Sequence, residues 1–172
     1  MSTGYKITDQ ESIHFCTFTI VQWADLFTRQ VYRDIVVDSF NYCIEAKGLR
    51  VHAYVFMSNH IHWMLSAAQG NLSGIIRDLK SYTAKLIFAQ ILEDSESRRE
   101  WLVMVCKYAA GGHTHNKDFQ IWSHDNHAEE IWSPKFIQQK MDYLHDNLVK
   151  KGLVPKLEHW LYSSAENYVM GK

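Results

Sequence analysis

Two histidines, His60 and His62, are separated by one apolar residue within the segment 54–65. The segment is rich in β-branched and aromatic residues and breaks at Ser58-Asn59, so it predicts two short strands. Side chains two positions apart in a strand project from the same face. His60 and His62 are therefore expected to share a face, where two imidazoles on a rigid strand could hold a divalent metal ion.

A tyrosine and an asparagine form a second chemical pair. Tyr143 and Asn147 are four residues apart in a segment of helical periodicity, so they lie one above the other on one helix face. The apolar seam of that helix lies elsewhere and consists of Ile137, Met141, Leu144 and Leu148. Lysines share the stripe of Tyr143, namely Lys140, Lys150 and Lys151. Tyr143 alone would most often be a half-buried packing residue, but a tyrosine beside a side-chain amide and three lysines is not positioned simply as core filler.

A phenol beside cations and a metal ion has the chemistry of a nucleophile. The phenol of tyrosine has an unperturbed pKa of ~10, and nearby cations favour the phenolate. Attack on phosphorus also requires that the non-bridging phosphate oxygens be neutralised, which a divalent metal ion can do. His60 and His62 would supply two ligands, and the amide oxygen of Asn147 could supply a third. These residue types point to metal-dependent attack on a phosphodiester.

Composition limits the class of protein. The 172 residues are 47% apolar and 22% charged, which predicts one globular domain over residues 1–172. No segment has the length and apolarity of a membrane helix, and the N-terminal residues do not resemble a signal peptide. The three cysteines are far apart and odd in number, so we expect reduced thiols in a cytoplasmic protein. The formal net charge of -1 means that any nucleic-acid binding requires a local basic surface.

The elements that must position these residues alternate between strands and helices. Apolar periodicity and turn residues predict strands near 13–20, 49–57, 60–66 and within 120–131. They also predict helices at 31–47, from a cap at Asn71 to about residue 87, at 98–110, and at 134–150 after a cap at Ser133. The order βαββαβ predicts an α+β, ferredoxin-like antiparallel sheet with helices on one face. The last helix, which carries Tyr143, is expected to be an additional C-terminal helix with a catalytic role.

Two basic groups could contact DNA. Residues 135–156 contain five lysines against two aspartates, among them Lys140, Lys150 and Lys151. A second group lies on the long middle helix and consists of Arg77, Lys80 and Lys85. Such groups are often only solvated faces, but they could also bind the backbone of single-stranded DNA.

These motifs together resemble the single-tyrosine transposases of the HUH class, particularly the REP-associated tyrosine transposases and their insertion-sequence relatives. The resembling segments are 55–62, 79–85, 142–154 and 160–165, in the order and spacing of that family. An isolated H-x-H is a weak signal, whereas H-x-H followed about 80 residues later by Y-x-x-x-N and K-x-G-L-V is specific. One departure is Asn147-Leu148-Val149, where the family has Asn-Pro-Val.

The resemblance implies a domain that cleaves single-stranded DNA beside a hairpin. Tyr143 matches the nucleophile that becomes linked to the DNA 5′ phosphate and leaves a free 3′ hydroxyl. His60 and His62 match the metal-binding histidines, and Asn147 matches the polar residue that completes the site. The cofactor implied is Mg²⁺ or Mn²⁺. The partner implied is a DNA hairpin with a single strand, and since monomeric and dimeric relatives both exist, a homodimer is one expectation.

Two other functions stay open. The chain could be a domesticated DNA-hairpin binding protein without transposition activity, or an unrelated metal hydrolase that forms no covalent adduct. Other histidines offer weaker sites: His113 and His115 lie in a segment of loop composition, and His124 and His127 follow them. His145 is two residues from Tyr143 and is expected to point to another side of the helix.

Overall fold

The computed structural model describes residues 6–93, 95–111, 118–150, 162–165 and 168, with side chains in the last helix described to residue 144. The strands are β1 (Ile13–Thr19), β2 (Leu49–Phe56), β3 (His60–Ala67) and β4 (Glu129–Ile131). The helices are α1 (Gln30–Lys47), α2 (Leu72–Leu92), α3 (Arg99–Gly111) and α4 (Pro134–Lys150). The predicted mixture and order of elements are confirmed.

The four strands form one antiparallel sheet in the order β2-β3-β1-β4. This is the strand order of a ferredoxin-like fold, with the first and third strands in the centre, so the predicted fold class is confirmed. Strand β3 pairs with β1 so that His62 lies opposite Thr17 and His60 opposite Thr19. Both histidines therefore occupy a central strand, where neighbouring strands on each side fix the backbone.

One face of the sheet packs against α1 and α2. Ile61 and Trp63, which alternate with the two histidines along β3, belong to the core on this face. Trp63 stacks on Phe40 of α1 with ring centroids 3.7 Å apart, and Ile76 of α2 closes the same core. These contacts bury the non-histidine side of β3 and set the direction in which His60 and His62 project.

The opposite face packs against α4. A second buried cluster joins Phe15 and Met64 of the sheet to Leu144 of α4, with Ile137 and Met141 packed at its edge. The predicted apolar seam is thus confirmed for residues 137, 141 and 144, while the side chain of residue 148 lies outside the described part. Because Met64 and the histidines share a face of β3, α4 lies over the histidine side of the sheet.

The local sequence explains the helix ends at Gly48 and Ser133. Gly48 follows α1 with a φ of 68°, the left-handed conformation that glycine adopts without strain. Ser133 caps α4, because its Oγ accepts a hydrogen bond from the backbone N–H of Phe136 at 3.2 Å. Asn71 precedes α2 as predicted but makes no capping hydrogen bond with its side chain.

The fourth strand is shorter than the segment 120–131 in which it was predicted. Residues 120–126 run beside β1 without forming a continuous ladder, with one bridge between Ile20 and Trp122. His127 interrupts the approach because its φ is 40° and its N–H donates to Asp125 Oδ1 at 2.8 Å. Only after this local turn does the chain join the sheet.

Near the C-terminus, the described residues pack on the edge of the sheet. Ser163 forms a β-bridge with Val55 of β2. The hydroxyl of Tyr162 donates to Asp34 Oδ1 on α1 at 2.7 Å, and the hydroxyl of Tyr168 donates to a backbone carbonyl of β2. These described residues are therefore attached to the sheet and to α1. Among the helices that the structure describes, none is long and apolar enough to cross a membrane.

Candidate active site

His60 and His62 lie side by side on β3. Their ring centroids are 4.7 Å apart, and each residue is only 6% exposed. The shared face follows from the alternation of the strand, and Tyr143 of α4 lies against the ring of His62. The pair is therefore a rigid feature of the sheet with limited access from solvent.

Each imidazole is oriented through its Nδ1 atom. The Nδ1 of His60 lies 2.6 Å from Asn59 Oδ1, and the amide nitrogen of Asn59 donates to the carbonyl of Trp23 at 3.2 Å. Because the amide oxygen can only accept, His60 donates through Nδ1–H and carries its lone pair on Nε2. The Nδ1 of His62 lies 2.9 Å from Thr17 Oγ1, which can accept in the same way. Partners on the far nitrogen are the usual way in which proteins orient metal-binding histidines.

The structure brings Tyr143 to these histidines. The ring of Tyr143 lies edge-on to that of His62, with centroids 5.6 Å apart. Its side chain is 49% exposed, so a substrate can reach the phenol, while the neighbouring Leu144 is fully buried. Helix α4 therefore presents a solvent-accessible phenol beside a buried imidazole.

Phe15 joins the two groups. Its ring stacks on His62 at 5.4 Å and meets Tyr143 at 6.0 Å in an edge-on arrangement. The residue is 5% exposed and holds both rings from the β1 side. Phe15 and Thr17 belong to none of the sequence motifs. Their alternation along β1 places them on one face, but only the pairing with β3 shows that His62 is on that face.

Lys140 lies one helical turn before Tyr143. Its Nζ is 2.5 Å from Glu129 Oε2 and 4.9 Å from the centre of the Phe15 ring, and its side chain is 20% exposed. The lysine is thus close to the phenol, but Glu129 neutralises part of its charge. The predicted position of this basic residue on the stripe of Tyr143 agrees with the structure.

Several predicted residues lie outside the described side chains. Asn147 and Lys150 belong to α4, whose backbone is described through Lys150, but nothing is described of their side chains. Lys151 lies outside the described residues, as do His113 and His115. For these residues the assignments stay predictions.

The second basic group lies on α2, which covers the sheet face opposite the histidines. Arg77 is exposed and pairs with Asp78 at 2.9 Å, and Lys85 is also exposed. Lys80 differs from both, because its Nζ donates to the carbonyl of Ser123 at 2.6 Å and to Asn126 Oδ1 at 2.7 Å. Burial lowers the pKa of Lys80 to about 8. Lys80 therefore ties α2 to the segment before β4, and it does not share the exposed surface of Arg77 and Lys85.

His60 and His62 fit a pair of metal ligands by their side-by-side placement and their oriented rings. Within the described residues there is no group of three or more His, Cys, Asp or Glu side chains that could hold a metal ion. Amide or phosphate oxygens could fill the remaining positions around an ion held by these two imidazoles. Two imidazoles with open positions for oxygen ligands suit a divalent cation that binds substrate directly.

The chain is similar to known proteins in sequence and in fold. A family model described as IS200-like transposase matches residues 10–140, which include both histidines. A solved REP-associated tyrosine transposase bound to a REP hairpin aligns with 99% of this chain and 86% of its own, at 19% identity and a TM-score of 0.63. A Deinococcus radiodurans R1 protein assigned to the transposases aligns with 85% of this chain and 95% of its own, at 14% identity and a TM-score of 0.45. Among curated proteins none matches.

Proposed function

The chain belongs to the family of IS200-like transposases, and from this premise we propose that it cleaves and transfers single-stranded DNA at hairpin-flanked sites through a covalent tyrosine intermediate. The solved transposase that shares its fold is bound to a REP hairpin, which supports a hairpin as the DNA element. The observation that carries the proposal is the contact between the rings of Tyr143 and His62. This contact places an exposed phenol beside a pair of oriented imidazoles. A purely structural metal site would not require such a phenol.

Tyr143 is the nucleophile in this proposal. Its phenol oxygen attacks the scissile phosphorus, a bond forms between phosphorus and the tyrosine oxygen, and the bond from phosphorus to the 3′ oxygen breaks. The phenol proton is lost and the departing 3′ oxygen gains one, so the products are a 5′-phosphotyrosine and a free 3′ hydroxyl. Attack of a 3′ hydroxyl on the phosphotyrosine reverses the exchange and joins a new strand.

His60, His62 and Asn147 would hold the divalent metal ion, Mg²⁺ or Mn²⁺. Bound there, the ion would neutralise the non-bridging oxygens of the scissile phosphate. Asn59 and Thr17 orient the two imidazoles, and this orientation is set before substrate arrives. Preorganised ligands lower the cost of assembling the site around DNA.

Basic side chains would hold the DNA backbone. Lys140 is described beside Tyr143, and we propose that Lys150 and Lys151 continue the same stripe along the DNA. Arg77 and Lys85 form a separate exposed group on α2, which could contact a more distant part of the hairpin. Lys80, whose ammonium is held inside by Ser123 and Asn126, would support that surface rather than bind phosphate itself.

The cysteines support a role in the reducing cytoplasm. Cys16, Cys43 and Cys106 are buried free thiols. Burial raises the pKa of Cys16 and of Cys106 to about 12, so neither is a reactive thiolate at neutral pH. We propose no chemistry for them.

The deciding experiment detects a covalent protein–DNA adduct. Labelled DNA hairpins with single-stranded flanks are incubated with the protein and Mn²⁺ and resolved on a denaturing gel. We expect an adduct that disappears in Tyr143→Phe and when a chelator removes the metal. Tyr82→Phe, which alters a 59% exposed tyrosine on the opposite side of the sheet, is the matched control and should retain the adduct.

Three outcomes would contradict the proposal. An adduct that persists in Tyr143→Phe would remove the nucleophile from the mechanism. Tight hairpin binding by the unmodified protein without any adduct would favour the domesticated binding protein, and cleavage with turnover but no adduct would favour a metal hydrolase.

Sizing the DNA complex by light scattering would show whether one chain or a homodimer binds each hairpin.

A further inference from the structure

Trp23 is a large exposed aromatic residue at the edge of the histidine pair. Its side chain is 66% exposed, and its ring lies edge-on to that of His60 with centroids 5.9 Å apart. It follows β1 in a short turn, Val21–Trp23, at the end of the sheet where β3 begins. A flat apolar ring is therefore held in solvent next to a proposed metal ligand.

The backbone at this turn is strained. Gln22 and Trp23 have φ values of 53° and 54°, the left-handed region that residues with a Cβ atom rarely adopt. Both side chains are exposed, while the flanking Val21 and Ala24 are buried. The core contacts of the turn are thus made by the flanking residues, while the Trp23 side chain stays outside the core.

Hydrogen bonds on both sides hold the strained turn in place. The N–H of Ile20 donates to the carbonyl of Asn59 at 2.9 Å, and the N–H of Val21 donates to the carbonyl of Ile121 at 2.9 Å. The side chain of Asn59 then binds the Trp23 carbonyl and the His60 ring together. Strain that the surrounding structure maintains at an exposed position is typical of a functional site.

We propose that Trp23 is a stacking platform for the base of a single-stranded nucleotide that flanks the scissile phosphate. The inference rests on the proposed function, because it assumes that the phosphate lies at His60 and His62. A tryptophan ring accepts any base on its face, and such stacking strengthens single-strand binding without reading the base sequence. Since Asn59 hydrogen-bonds both to the Trp23 carbonyl and to the His60 ring, the backbone that carries the platform is tied to the imidazole.

The test separates stacking from a structural role by choosing replacements that suit the backbone. Trp23→Gly removes the ring and relieves the left-handed strain, and Trp23→Asn removes the ring with a residue that tolerates this conformation. Trp23→Phe keeps an aromatic face. The control is Trp132→Ala, which removes a 79% exposed tryptophan at the end of β4.

The probe is a DNA hairpin with a single-stranded flank in which each flank position in turn is made abasic. Binding is measured in the Tyr143→Phe background, and adduct formation is measured with Tyr143 intact. We expect Trp23→Gly and Trp23→Asn to weaken binding roughly tenfold or more, with unfolding temperatures equal to or above that of the parent. At one flank position, removing the base should weaken hairpin binding by the parent by a similar factor and should not weaken binding by Trp23→Gly or Trp23→Asn any further. Trp23→Phe should bind the hairpin nearly as tightly as the parent.

The platform would be overturned if Trp23→Gly bound the hairpin as tightly as the parent does. It would also be overturned if, at every abasic position, the loss of affinity from the missing base simply added to the loss from the Trp23 substitution. A loss of binding accompanied by a lowered unfolding temperature in both variants would also overturn it, in favour of a structural role. Failure of the proposed function has a different signature, because the parent itself would then form no adduct or bind no hairpin.

Discussion

The ring of Tyr143 meets the ring of His62 with centroids 5.6 Å apart, although α2, α3 and β4 separate their elements along the chain. The contact depends on how α4 docks, and Leu144, the neighbour of Tyr143, is the fully buried anchor of that docking. The proposed nucleophile and the imidazole therefore meet only when α4 is docked on the second face of the sheet.

Replacing Leu144 by alanine tests whether the packing of α4 on the sheet is needed for adduct formation. We expect Leu144→Ala to destabilise the protein by about 2–4 kcal/mol, because it leaves a cavity under α4. Adduct formation should fall by more than the folded fraction accounts for, since Tyr143 loses its position. Met104→Ala, at a 61% exposed site on α3, should change neither denaturant unfolding nor adduct yield. Full adduct formation by folded Leu144→Ala would contradict the role of this anchor.

Removing the hydroxyl of Thr17 should weaken metal binding without disturbing the fold. Thr17→Val keeps the shape of the side chain but removes the oxygen that lies 2.9 Å from His62 Nδ1. Loss of such a partner typically weakens metal affinity 10- to 100-fold. Isothermal titration with Mn²⁺ measures the change. Thr28→Val is the matched control, because the hydroxyl of Thr28 donates to the Asp25 carbonyl in an exposed turn. Equal Mn²⁺ affinity in both variants would show that Thr17 does not orient the ligand.

The lysines should differ in how they change the salt dependence of DNA binding. Lys140→Gln should weaken hairpin binding severalfold and lower the slope of log affinity against log salt by about 0.7, the value for one phosphate contact on a single strand. Lys85→Gln tests the separate group on α2 in the same way.

Lys80→Met should leave that slope unchanged, because the ammonium of Lys80 is engaged by Ser123 and Asn126. It should instead change the free energy of unfolding, which chemical denaturation measures. A reduced salt slope in Lys80→Met would place this lysine on the DNA after all.

The contrast between Lys80 and Lys140 illustrates what the sequence could predict. Local patterns were sufficient for the helices and for the first three strands, because apolar period and caps act within one element. The shared face of His60 and His62 followed from strand alternation alone. The inward direction of the Lys80 side chain could not be predicted from local patterns, because it depends on where the segment before β4 lies.

Contacts between elements were beyond local patterns for the same reason. The stacking of Phe15 on His62 can be predicted only if the register between β1 and β3 is known. The short length of β4 can likewise be predicted only if the left-handed turn at His127 is known. The exposed position of Trp23 beside His60 combines a strained turn with a hydrogen bond from another loop. The spacing of the motifs was sufficient to predict the candidate site residues. The other residues that contact and orient them are determined by tertiary packing.

Acid stability should depend on one buried carboxylate remote from the active site. The side chain of Glu96 is 1% exposed and lies 2.8 Å from Arg29 Nη1, and it accepts the hydroxyl of Tyr32 at 2.6 Å and the N–H of Arg98 at 3.0 Å. Burial alone would raise the pKa of Glu96, but the hydrogen bonds from Tyr32, Arg98 and Arg29 outweigh burial and lower the pKa to about 2.

The lowered pKa fixes the direction of the pH effect. Between pH 4.5, the ordinary value for this carboxyl, and pH 2 the unfolded chain binds more protons at Glu96 than the folded protein does. The stabilisation is therefore complete above pH 4.5 and is lost as the pH falls towards 2. We expect Glu96→Gln to cost about 2–3 kcal/mol at pH 7, because Arg29 loses its buried partner, and much less near pH 2.

Urea unfolding of the parent and of Glu96→Gln across pH 2–7 measures this difference. The free-energy gap between the two proteins should narrow as the pH falls, whatever other carboxylates contribute, because those are common to both. Asp9→Asn, which changes an exposed carboxylate bonded to the hydroxyl of Ser12, is the control and should show only a small gap. A gap for Glu96→Gln that stays constant from pH 7 to pH 2 would mean that Glu96 stabilises the fold by shape rather than by charge.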